Sequence, residues 1–236
     1  MVLKLYSAPL VGIGGNAGIV ALVLAEKRIP FEDVPLDFLI DEQKQPKHRT
    51  KHPFGQVPVL EDEDGFLLYE TRAICRYIAE KYAHQGPLLI PSPQASIRER
   101  ALFEQAASVE FADFHNAAGL VFAATVKAEL HGLQIDCKAV EDGMATLIEV
   151  LEAYEQILSG QKYAAGNELT IVDFFHLVPM YALVMKGLVG DAMTCDARPN
   201  VARWWKTISS RPEWIRLRDE GITSRVSYYP ENPEGL

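Results

Sequence analysis

No proline falls between Pro93 and Pro179, and only five glycines interrupt that stretch, at 119, 132, 143, 160 and 166. Proline lacks the N–H that a helix interior uses, and its ring clashes with the preceding turn. So long a span without it favours helices. The start of the chain differs, since six of the fourteen prolines lie before residue 60. Between the two, HQGPLLIPSPQAS (84–96) is rich in turn formers and reads as a linker. The expected division is residues 1–83, a linker at 84–96, and a helical part over 97–236.

The first part alternates short strand-like and helix-like pieces. Val2–Tyr6 has a strand's alternation, Asn16–Lys27 reads as a buried helix, and Phe31–Leu36 as a second strand. Asp41–Lys51 is polar and reads as a short exposed helix or an irregular turn. Val57–Leu60 and Phe66–Tyr69 flank EDEDG, whose Asp-Gly step marks a hairpin. An amphipathic helix, Thr71–Tyr82, follows. The loop between the first strand and helix, VGIGGNA (11–17), holds G-x-G-x-x-A, a form of the dinucleotide fingerprint. A dinucleotide fold continues with parallel βα units, but the third and fourth strands here are too close in sequence for a parallel crossover. A lone fingerprint of this kind does not outweigh that topology.

Composition narrows the function classes. The 236 residues are 48% hydrophobic, enough for a packed core, and the net charge of −9 argues against a nucleic-acid surface. No apolar run reaches membrane-spanning length and no secretory signal pattern opens the chain, so a cytoplasmic protein without membrane attachment is expected. Cys75, Cys137 and Cys195 are too few and too scattered for a disulfide framework. The six histidines show no ligand spacing, and no metal is expected.

Two motifs carry chemistry. In KHPFGQVPVLED, Pro58 either starts a strand in the ordinary way or follows a cis bond. A cis turn there exposes the Val57 N–H and C=O for pairing with a ligand's own backbone. In YETRAI, Glu70 and Thr71 open the helix after the hairpin. They are either a cap with an acidic first turn or a site where helix N–H groups take a carboxylate while Glu70 takes an ammonium. An α-amino acid head group carries both charges. Farther on, Thr170 and Asp173 have the spacing of a capping box.

Together these motifs resemble the glutathione transferases, most nearly the phi-like group of plants and fungi. The likeness runs through DEQKQPKHRTKHPFGQVPVLEDEDGFLLYETRAICRYIAEKY, KYAAGNELTIVDFFHLVPM and RPNVARWWKTISSRPEW. It implies a thioredoxin-like α/β N-terminal domain that binds glutathione, and an all-helical C-terminal domain that carries the acceptor site. It implies that Val57, before cis-Pro58, holds the cysteinyl backbone, and that Glu70 and Thr71 hold the γ-glutamyl end. Thr71 stands where the family usually has Ser, which keeps the hydroxyl. Gln56 matches a glycyl-side contact and Lys44 a contact to the glycine carboxylate. Gln43 stands where many phi members have His. A homodimer is implied as well, and no cofactor beyond glutathione as co-substrate.

In such proteins the loop before the first helix stabilises the glutathione thiolate. A thiol with a pKa of about 8.5 is mostly protonated at neutral pH, and a hydrogen-bond donor or a helix N-terminus favours the anion. Phi members place a serine there, whereas that position falls on Gly14 or Gly15 in this chain. Asn16 matches an asparagine of fungal nitrogen-regulator-like transferases and has an amide to donate; Ser7 has a hydroxyl but sits at the strand end; backbone N–H groups of Gly15 to Ala17 are the third possibility. Asn16 also reads simply as an N-cap.

The acceptor is expected between the domains, walled by Phe111, Phe114, His115 and Phe122 on one helix face together with Leu10, Val11 and Ile13 from the loop. Aromatic stripes of this spacing also occur in cores. The implied activity is conjugation of the glutathione thiolate to hydrophobic electrophiles, a detoxification chemistry, with glutathione peroxidase activity as a possible side reaction. The alternative is a low-turnover, glutathione-dependent ligand-binding or regulatory protein.

Overall fold

A computed structural model of the chain describes residues 2–8, 15–130 (Leu130 by its backbone) and 132–222. The described residues fall into two compact units. One takes those within Met1–Ile90 together with those from Pro212 onward; the other is Pro91–Arg211.

The first unit is built on a four-stranded sheet of order β2-β1-β3-β4, from β1 (Leu3–Ser7), β2 (Phe31–Pro35), β3 (Val59–Glu61) and β4 (Leu67–Tyr69). β1 runs parallel to β2, with Leu5 opposite Asp33, and antiparallel to β3, with Leu5 opposite Leu60. β3 and β4 form the antiparallel hairpin expected from the Asp-Gly step, with Leu60 opposite Leu68. Between β1 and β2 lies α1 (Asn16–Glu26), in which every residue from Ala17 to Glu26 is buried. Its charge-free run NAGIVALVLA leaves no face to offer to water, so cover is needed all round. β1, α3 (Thr71–Lys81) and α11 (Pro212–Glu220) all pack on it.

The position of α11 differs from the expected division, which gave all of 97–236 to one helical domain. Trp214 and Leu217, almost fully buried, belong to the first unit's core, because a helix as apolar as α1 needs a cover that sheet and α3 do not complete. Lys27, just past the end of α1, is also buried and donates from Nζ to the Tyr82 carbonyl (3.1 Å).

The second unit is helical. α4 (Ile97–Val109) starts at a capping box of Ser96 and Glu99 and passes through a π-helical turn (Glu110–Phe114) into α5 (His115–Phe122). A second π turn (Ala123–Lys127) leads to α6 (Ala128–Leu130). α7 (Cys137–Ser159) packs on α5, and Gly143 allows the approach: a Cβ there would lie 3.2 Å from Val121 Cγ2. α8 (Ile171–Met185), α9 (Gly190–Thr194) and α10 (Pro199–Ser209) complete the unit.

At its centre Asp173 accepts hydrogen bonds from the Thr170 N–H, the Ala164 N–H and the Trp204 indole, each at 2.9 Å. The Thr170–Asp173 spacing thus forms a cap, extended by a link to α10 that the sequence did not disclose. No helix among the described residues is long and apolar enough to cross a membrane. No group of three or more His, Cys, Asp or Glu side chains among them could hold a metal ion.

Candidate active site

The Gln56–Val57–Pro58 segment enters β3 through a cis Val57–Pro58 bond, and the strand ladder starts only at Val59, opposite Tyr6 and Tyr69. A short polar segment holds this turn from below. Gly55 has φ +59°, and a Cβ there would sit 2.6 Å from the Gln43 carbonyl oxygen and 3.0 Å from Lys44 Cδ. Both the backbone conformation and the crowding demand glycine. In return, that approach brings Gln43 and Lys44 beside Gln56. Lys44 Nζ donates to the Phe54 carbonyl (3.1 Å), and the His48 ring bonds the Gln56 carbonyl through Nε2 (2.7 Å).

The expected glycyl-side residues differ in accessibility. Lys44 and Gln56 are exposed. Gln43 is buried, with Nε2 donating to Asp41 Oδ1 (3.0 Å) and Oε1 left unpartnered.

At the far end of the hairpin, β4 stops at Tyr69 and Glu70 is the N-cap of α3 with φ 75° and ψ 111°. A non-glycine residue held at positive φ is uncommon and costs about 1–3 kcal/mol, and such residues cluster at ligand sites. This conformation presents the Glu70 carboxylate to solvent, while Thr71 behind it is 5% exposed. Among the described residues the Glu70 carboxylate has no ion pair. It stands beside the first N–H groups of α3, which favour an anion.

At the other helix N-terminus, Gly15 and not Asn16 is the N-cap of α1, with φ 55° and ψ −133°. Its carbonyl accepts from the Gly18 N–H (2.9 Å), and nothing lies within 4 Å of a Cβ built on it. Glycine is therefore required by the backbone conformation and not by space. Asn16 is the first helical residue and is exposed, so its amide is not spent on capping.

Ser7 is placed differently. It is 2% exposed on the sheet face shared with Leu3 and Leu5, beside Asp33. Burial pushes the Asp33 carboxyl up from its ordinary value, with the Ser7 hydroxyl opposing that shift. Asp33 Oδ1 is buried without a partner. Leu10, Val11 and Ile13 lie outside the described residues.

The aromatic stripe divides. Phe111 is 54% exposed and its ring stacks on His115, with centroids 5.9 Å apart. Phe122 is half-buried. Phe114 is a correction to the expected shared face. It is fully buried, with its ring 4.3 Å from His176 and 6.0 Å from Tyr154, and so belongs to the core of the helical unit. The π-helical turn that ends at Phe114 is wider than an α turn and rotates that residue away from Phe111 and His115.

His48, His52, Tyr69 and Gly55 brace the turn, and none of them stands out in the sequence as a site residue. The signal for the histidines is a pair four apart in KHRTKH, close to Gln-Val-Pro, but it matches no ligand motif. Cys75 stays outside this chemistry: burial pushes its thiol up, which suits an inert core residue.

Comparison with known proteins identifies the family. Residues 1–80 match the family model for the glutathione S-transferase N-terminal domain, and residues 111–212 that for the C-terminal domain. Glutathione S-transferase F10 of Arabidopsis thaliana is 39% identical over 214 residues, which cover 91% of this chain and 95% of the relative. The crystal structure of glutathione transferase F7 from Populus trichocarpa superposes with a TM-score of 0.83 at 36% identity, covering 94% of this chain and all of that one. Glutathione S-transferase I from mais, in complex with an atrazine glutathione conjugate, superposes with a TM-score of 0.81 at 32% identity, covering 93% of this chain and 97% of that one. A four-stranded α/β unit followed by a helical unit is the fold these comparisons share with the chain. The chain belongs to the glutathione S-transferase family, and the relatives just named are of the plant phi type.

Proposed function

We propose that this transferase binds glutathione along the edge formed by Gln56, Val57 and Glu70 and joins its sulfur to an apolar electrophile. The observation that carries the reading is Glu70: an exposed carboxylate without an ion pair among the described residues, held at φ 75° on the N-terminus of α3. The γ-glutamyl ammonium pairs with that carboxylate, and the adjoining carboxylate takes the N–H groups of α3 and the Thr71 hydroxyl. The Val57 main chain pairs with the cysteinyl backbone as an added strand does. Lys44 and Gln56 meet the glycyl end. Gln43 supports them from within, since its amide is turned to Asp41.

The sulfur then lies at the N-terminus of α1. There the exposed Asn16 amide and the first backbone N–H groups stabilise the thiolate, in preference to the buried Ser7. The S–H proton leaves to solvent, the thiolate attacks an electrophilic carbon, a C–S bond forms, and the leaving group departs with its electron pair. The protein supplies orientation and the anionic form of the sulfur. The conjugate bound by the mais relative is of the kind such a reaction gives.

We also propose a homodimer. α4 and α7 flank a hollow of about 80 Å³ lined by Leu102, Ala106, Val109 and Ile157, and Leu102 is 56% exposed. A second copy covering this face buries the apolar side chains.

The test is to titrate the thiol of bound glutathione by its ultraviolet absorbance in the wild type, Asn16→Ala and Ser7→Ala. The expected thiol pKa in the wild type is at least about one unit below the value of about 8.5 in solution. Asn16→Ala should return most of that shift and Ser7→Ala little of it. A bound thiol that titrates as in free solution would overturn the catalytic reading in favour of low-turnover binding.

A further inference from the structure

One buried imidazole touches both halves of the proposed glutathione site. His52 is 2% exposed. Its carbonyl accepts from the Gly55 N–H (2.8 Å), which shapes the turn into Gln56 and Val57. Its ring stacks on Tyr69, with centroids 4.6 Å apart and planes at 28°, and meets the edge of Phe54 at 6.1 Å. Tyr69 is the residue before Glu70, so the ring packs between the turn that carries Val57 and the strand end that carries Glu70.

His52 Nδ1 is buried and has no hydrogen-bond partner. Besides the Tyr69 phenol stacked on it, three charged or titratable groups act electrostatically on the ring: Glu70 after β4, His48 on α2 (Pro46–Arg49), and Lys44 in the short turn before α2. Burial holds the imidazole below its usual value, Glu70 opposes that shift, and His48 and Lys44 add to it. The ring is therefore neutral at pH 7, and a neutral ring is compatible with a dry stack and an unpartnered nitrogen.

We propose that His52 is a positioning residue for the γ-glutamyl end of glutathione: its neutral ring holds Tyr69, and through it Glu70, in register with the Gln56–Val57 turn, and protonation of the ring weakens glutathione binding. Two physical effects act in the same direction. A proton on the ring places a cation near Glu70, where it competes with the ligand's ammonium for the carboxylate. It also places charge in a buried stack lacking a partner for Nδ1, which loosens the turn. The inference rests on the reading of Glu70 as the ammonium partner.

The experiment uses S-methylglutathione, whose blocked sulfur removes thiol ionisation from the pH dependence. Binding is measured by calorimetry between about pH 5.5 and about pH 7.5, a range that spans ordinary histidine titration. The wild type should bind several-fold more weakly at the lower pH. His52→Phe, which keeps an aromatic stack without a titratable nitrogen, should show a flat profile over the same range, and His52→Gln should also be flat. An equal pH dependence in the wild type and either variant overturns the proposal.

A measurement on the unaltered protein serves if both variants fold poorly. The His52 ring, followed by NMR in labelled protein, should titrate at a lower pH with S-methylglutathione bound than without it. Equal midpoints overturn the inference. Glu70→Ala separates the two readings: undiminished S-methylglutathione binding in that variant sinks the Glu70 assignment itself. Binding that needs Glu70 but ignores pH sinks only the role of His52.

Discussion

Trp204 and Asp173, 31 residues apart, meet through an indole N–H donated to Oδ1 at 2.9 Å. The carboxylate also satisfies the Thr170 and Ala164 N–H groups, so one buried side chain ties together the start of α8, the turn before it, and α10. Asp173→Ala removes the acceptor of four donors, the Thr170 and Ala164 N–H groups, the Trp204 indole and the Thr170 hydroxyl. We expect a loss of about 3 kcal/mol or more, read from the urea midpoint. Trp204→Phe removes a single donor and some ring area, and should cost about 1–3 kcal/mol. If Asp173→Ala proves as stable as the wild type, the carboxylate is not the link described.

Asp33 makes the opposite case. Its folded-state pKa is raised by burial, so the folded protein binds the proton more tightly than the unfolded chain does. Its contribution is therefore favourable while the group is protonated and is lost as pH rises from the ordinary carboxylate range through the raised value. Asp33→Leu replaces a buried, half-partnered carboxyl with an apolar group on the same face as Leu3 and Leu5. It should gain about 1–3 kcal/mol at pH 7 and lose that part of the pH dependence. Urea midpoints at about pH 4.5 and about pH 7.5 check both statements. A variant less stable at both would refute the account.

Gly55 permits no side chain without movement. Gly55→Ala combines a φ of +59° with a Cβ 2.6 Å from a backbone oxygen. Stability should fall by about 2 kcal/mol or more. The Km for glutathione should rise, because the displaced segment carries Lys44 and adjoins Gln56. A variant with an unchanged Km would show that this turn does not set the glycyl side of the site.

The proposed dimer face gives a simple test. Leu102→Glu places a charge on the apolar hollow between α4 and α7. Being 56% exposed, the position should tolerate the change in a monomer, with stability altered by about 0.5 kcal/mol or less. Sedimentation should show a dimer for the wild type and a shift to monomer for the variant. A wild-type protein that stays monomeric at high concentration would remove the proposal.

Much of this architecture is legible in the order of residues alone. The Asp-Gly step marks the β3–β4 hairpin, the proline-free span marks the helical unit, and Gln-Val-Pro with Glu-Thr locates the proposed glutathione edge. Features that depend on long-range packing are not legible there. Nothing local in KHRTKHPFG says that His48 and His52 turn inward, because a run of that polarity reads as exposed. The link from Trp204 to Asp173 is likewise invisible to any window of neighbouring residues. The spacing of Phe114 fits an α-helix and so points it to the wrong face, since the π turn is a departure that helical periodicity does not register. Glu70 shows the converse: its residue type suggests an ammonium partner, whereas the positive φ that presents it is not encoded in any residue type.

The return of α11 to the first unit gives the chain a clasp. A fragment ending at Ile90 would leave one flank of α1 bare, and a fragment beginning at Pro91 would carry an orphaned helix with nothing of its own to cover. The first unit is not a contiguous stretch of the chain, so exchange between relatives at a single crossover near residue 90 must match Trp214 and Leu217 to a foreign α1. Recombination that respects this chain's architecture needs two cuts.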